Sequence, residues 1–74
     1  MAIDPISLLT PHLPAIRASA ATEYDDTGPA HMLLSNYDLW LRMREAQDPN
    51  LDAYSNGVTH AFNKWMEIQN DKLK

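Results

Sequence analysis

The chain has 74 residues, 45% of them apolar and 22% charged, and a net charge of −4. That composition describes one small acidic domain and argues against disorder. With no cysteine and only two glycines, it excludes a disulfide framework, a thiol nucleophile, a cysteine-based zinc site and a glycine-rich phosphate loop.

No apolar run approaches the roughly 20 residues a membrane span needs. Met1 to Pro5 carry neither a basic segment nor an apolar one, so no signal peptide is read and the expectation is a cytoplasmic protein. The charge is uneven: residues 1–28 hold Arg17 against Asp4, Glu23, Asp25 and Asp26, whereas residues 29–74 are nearly balanced. A core of about 70 residues rarely supplies more than roughly 3–5 kcal/mol of net stability. Either the helices pack unusually well or a partner chain completes the fold.

Proline and glycine divide the chain into three helical segments. Asp4-Pro5 reads as an N-cap followed by proline at the first helical position. Ile6, Leu9, Leu13, Ile16, Ala20 and Tyr24 then recur at helical spacing. Pro11 and Pro14 interrupt that stripe, because an interior proline removes a hydrogen bond and clashes with the preceding turn. The pattern predicts a short helix at 5–10, a kink, and a main piece at 12–23, with Thr10-Pro11 as a candidate cap. Its unbroken phase puts both pieces against one core.

The loop Asp25-Asp26-Thr27-Gly28 follows, and Pro29 opens a second helix predicted over 29–47. Asp26 or Thr27 is the candidate for complementing its dipole. Ala30, Leu33, Leu34, Tyr37, Trp40 and Leu41 form its main apolar stripe; His31, Ser35, Asp38, Arg42 and Glu45 form a polar face. Met32, Leu39, Met43 and Ala46 make a second apolar strip. That strip either touches a neighbouring helix or is an exposed patch for a partner or a second copy, a use to which flexible methionine is suited.

Asp48-Pro49 repeats the capping pattern and opens a third helix over 49–72. Leu51, Tyr54, Val58, Ala61, Phe62, Trp65, Met66 and Ile68 fall on one stripe, with Asp52, Asn56, Thr59, Asn63, Glu67 and Asn70 opposite. Asn56-Gly57 is a turn dipeptide in isolation. The stripe keeps its phase across it, so the helix is read as continuous and weakened by about 1 kcal/mol at Gly57. A break at 55–57 is the alternative.

The fold expected is therefore all-α: a small bundle of three helices in a single domain over 1–74, the first helix kinked or split by Pro11 and Pro14.

The chemistry-bearing residues are sparse. His12, His31 and His60 lie one to a segment, in no metal-ligand pair, and solvated or capping roles account for them. Glu23-Tyr24-Asp25-Asp26 is the one acidic cluster, too short in oxygen ligands for a calcium loop. Asp26-Thr27-Gly28 matches the aspartic-protease tripeptide, but here it joins two helices instead of lying among strands. No nucleophile elbow is present, and the chain is short for enclosing a substrate pocket. No enzyme, metal or cofactor is expected.

A helix-turn-helix reading would use Asn56, Thr59 and Asn63 to read base edges. Only six basic residues are available, with Lys72 and Lys74 in the tail and Arg42 and Arg44 about 200° apart around their helix. They form no basic face. The aromatic residues lie on the inner stripes and read as core. The expected function is non-enzymatic protein–protein interaction, with Met32, Leu39 and Met43 docking on a partner or in a homodimer and Glu23, Asp25 and Asp26 steering a basic surface. Small acidic chains of this kind are typically regulators or inhibitors of a larger machine, of phage or bacterial accessory type, an association drawn from size and charge. A DNA-binding protein and a subunit of a homo-oligomer are the alternatives.

Overall fold

The computed structural model describes residues 4–72. The chain forms four helical pieces: α1 (Pro5–Leu9), α2 (Leu13–Thr22), α3 (Pro29–Glu45) and α4 (Leu51–Lys72), with a 3₁₀ turn at Thr10–His12 joining α1 to α2. The first two pieces and their turn make one bent helix, so the architecture is the all-α three-helix bundle that the apolar stripes predict.

Each helix start follows from a local rule. Asp4 accepts a hydrogen bond from the Ile6 amide at 3.1 Å and another from the Ser7 hydroxyl, with Pro5 at the first helical position. The bend comes at the prolines. Thr10 does not cap the second piece: its hydroxyl donates back to the Ile6 carbonyl, and the residue preceding α2 is His12, with no side-chain cap. The stripe also stops short of Tyr24. The backbone turns extended at Glu23, and Tyr24 is fully exposed.

The helix α3 ends two residues before the expected 47. Asp48 N donates to Met43 O and Gln47 N to Arg44 O, the paired bonds of a Schellman stop. Gln47 occupies the left-handed position at φ 56°, where glycine is usual. Asp48 then turns the chain into α4, its carboxylate accepting from the Asn50 amide at 2.7 Å. Across Asn56-Gly57 the helix α4 is unbroken.

The hairpin of α3 and α4 makes the largest helix–helix interface, and α1–α2 lies against one side of it. Leu9, Ile16, Ala30, Leu33 and Val58 are fully buried, with Trp40, Phe62 and Trp65 nearly so. Burying each of the larger side chains contributes about 1.5–3 kcal/mol. The His12 ring covers the edge of this core, its centroid 5.1 Å from Phe62 and 6.4 Å from Trp65. Trp40 stacks on Tyr37, and the Arg44 guanidinium lies over the Trp40 ring, 5.7 Å from its centroid. The indole N–H groups of Trp40 and Trp65 are buried without hydrogen-bond partners among the described residues.

Candidate interaction face

The second apolar strip of α3 is at the surface. Met32 is 48% exposed and Leu39 41%, while Met43 is half-buried and Ala46 exposed. Met32 and Leu39 are seven residues apart, so their side chains emerge on the same side of the helix. The reason they stay uncovered is topological. The bent α1–α2 helix occupies the side of the hairpin lined by Leu33, Trp40, Val58 and Phe62. Met32 and Leu39 lie about 100° around α3 from Leu33 and Trp40, at 100° per residue.

Beside the strip, the seam between α3 and α4 opens into a groove of about 480 Å³. Met32 and Asn36 line it from α3, and Gly57 and Ala61 from α4. Ile68, expected on the inner stripe of α4, is instead 37% exposed and lines the same groove. It sits on the flank of that stripe. His60 and Lys64 complete the α4 wall, and Thr27 and Pro29 stand at one mouth.

The acidic loop divides into two parts. Glu23 is directed inward: its carboxylate accepts from the Ala30 amide at 2.7 Å and the His31 amide at 3.0 Å, and lies 2.7 Å from His31 Nδ1. It caps α3 from six residues before the helix begins. That corrects the expectation that Asp26 or Thr27 complements the dipole, because the residue at the N-cap itself is Gly28, with no side chain to offer. Burial pushes the Glu23 carboxyl up, but the two amides and the His31 ring outweigh it and hold the pKa below its ordinary value. Asp25 closes a local turn, accepting from the Thr27 amide and hydroxyl, and these bonds lower its pKa. Asp25 and Asp26 are exposed beside Tyr24. Of the three acidic residues expected to steer a partner, these two face solvent and Glu23 is engaged within the chain.

The remaining candidates are dispersed. Among the described residues no three His, Asp or Glu side chains gather where a metal could sit. On α4, Asn56 and Asn63 are exposed between Asp52 and Glu67, and the Thr59 hydroxyl is turned back to the Ser55 carbonyl. Lys72 is exposed at the end of α4, and Lys74 lies outside the described residues. No described helix is long and apolar enough to cross a membrane.

Sequence reasoning identified the strip but not the groove. Its lining on α4 includes two small residues one turn apart, Gly57 and Ala61, and Ile68 stands two turns beyond. That spacing was available, but it belongs to a pair of helices and not to either one alone. Compared with protein families, with curated proteins and with solved structures, the chain matches none.

Proposed function

We propose that this chain is a non-enzymatic protein–protein interaction module, of the kind that regulates or inhibits a larger assembly. It contacts its partner through Met32, Leu39 and Met43, and Asp25 and Asp26 bias the approach of a basic surface. The observation that carries this reading is the exposure of Met32 and Leu39 on one side of α3. Apolar side chains gathered into an exposed patch mark interaction surfaces more than scattered ones do, and charged residues near such a patch act mainly on encounter rate.

The test is the pair of variants Met32→Glu and Leu39→Glu. Both positions are at the surface, so each variant is expected to keep the far-ultraviolet circular dichroism and cooperative unfolding of the parent. Each is expected to lose association with the partner captured by the parent chain from its source cells. Retained association in both variants defeats the proposal.

A further inference from the structure

Resting on the reading of the α3 strip as an interaction surface, we propose that the strip is occupied by a second copy of this chain. Two α3 helices pack antiparallel across a twofold axis at Leu39.

Exposure and helical phase define the seam. Met32, Ser35, Leu39 and Ala46 are all exposed, and at 100° per residue they fall within about 60° of one another around α3. Met43, half-buried, borders them. The steps of three, four and seven residues are those of a helix–helix seam. From Met32 to Ala46 it runs about 21 Å along the axis.

A twofold axis at Leu39 makes this seam complementary to itself. Leu39 meets its own copy, Met32 meets the partner's Ala46, and Ser35 meets the partner's Met43. Each methionine thus faces a small residue, the alternation that lets two surfaces interlock. The same patch serves both protomers, as a closed dimer requires.

Charge selects the antiparallel arrangement. Asp38 and Arg42 are exposed together on one flank of the seam. In an antiparallel pair like flanks meet, so Asp38 comes opposite the partner's Arg42 and Arg42 opposite the partner's Asp38. Glu45 comes opposite the partner's His31 and not another carboxylate. In a parallel pair that charged flank would face the other one, where Asn36 and Pro29 offer no charge.

The net charge of −4 does not oppose this. The helix α3 is itself balanced, with Asp38 and Glu45 against Arg42 and Arg44. The excess lies in residues 1–28, which end in the acidic loop. Antiparallel packing sends the two loops to opposite ends of the pair, about 25 Å apart over the 17 residues of α3. That is several times the Debye length of about 8 Å at physiological salt. Asp25 and Asp26 stay exposed at both ends, open to a basic surface of a larger assembly.

One helix pair is smaller than a standard interface of roughly 800 Å² per partner. The dimer is therefore weak, dissociating at about 10–100 µM.

Sedimentation equilibrium of the full chain, across about a hundredfold range around that concentration, reads the association. Leu39→Glu sets two carboxylates together on the axis and is expected to be monomeric throughout, with unchanged circular dichroism. Asp38→Arg and Arg42→Asp each set like charge against like and are expected to weaken the dimer about tenfold. An equimolar mixture of these two variants restores every opposite pair and is expected to associate at least as tightly as the parent.

A parent that stays monomeric overturns the proposal. So does a dimer that survives Leu39→Glu, which would use another surface. A dimer indifferent to Asp38→Arg and Arg42→Asp, or a mixture that associates no better than either variant alone, overturns the antiparallel seam. If the parent is monomeric while Leu39→Glu still loses the cellular partner, the interaction reading stands and the second copy is removed from it.

Discussion

Glu23 and His31 are joined twice: the carboxylate accepts from the His31 amide at 3.0 Å and lies 2.7 Å from its Nδ1. With the Ala30 amide, this one side chain satisfies two of the free N–H groups that open α3. It also ties the end of α2 to the start of α3, so the loop between them is closed at its base.

Glu23→Ala is expected to cost about 1–2 kcal/mol of stability, the usual loss of a cap with dipole interaction. The pH dependence has a definite sign. Because the folded-state pKa is lowered, the charge contribution is complete above the unfolded-state value near 4.5. It is lost as pH falls through the folded value. Glu23→Gln keeps an acceptor but no charge. Its melting temperature should lie below the parent's at pH 7 and converge with it as pH falls through the lowered folded-state value. A gap that persists at low pH would show that the charge is not what α3 requires.

Gln47 holds the left-handed position of the Schellman stop at φ 56°, a conformation that costs a residue with a Cβ about 1–2 kcal/mol. Gln47→Gly is expected to stabilise the protein by about 0.5–1 kcal/mol, since the extra freedom of glycine in the unfolded chain offsets part of the gain. Denaturant unfolding reads the change as a higher midpoint with an unaltered slope.

Gly57 lies inside a continuous helix, and a methyl group there would meet Asn36 Oδ1 at 3.5 Å, an ordinary contact. Neither backbone conformation nor packing demands glycine. Gly57→Ala should therefore raise stability by about 1 kcal/mol, roughly 4–8 °C in Tm for a domain of this size. A destabilised variant would mean that Asn36 cannot tolerate even that approach.

The helix starts were legible because their signals are local: Asp4-Pro5 and Gly28-Pro29 place theirs, while Asp48-Pro49 forms a turn and α4 begins at Leu51, two residues after the expected 49. The core stripes were legible because Leu33, Trp40, Val58, Phe62 and Trp65 recur with the helical period. What the sequence hid depends on distance or on neighbours. Glu23 caps a helix that begins six residues later, beyond the reach of any capping pattern. Gln47 ends α3 without the glycine that marks such stops. Tyr24 keeps the phase of a helix that has already ended at Thr22. Met32, Leu39 and Ile68 are apolar residues at helical spacing, and only the placement of α1–α2 determines that they are left outside.

The two buried indoles give the molecule separate optical reporters. Trp40 lies against Tyr37 and Arg44, and Trp65 against Phe62 and His12, both away from the groove. Their emission should be blue-shifted in the native protein and move to the red only when the bundle opens. A partner contacting Met32 at the groove would leave that spectrum unchanged, so a titration followed by tryptophan fluorescence would look silent. A dye placed on the exposed ring-bearing loop at Tyr24, near the Thr27 mouth, would register the same event.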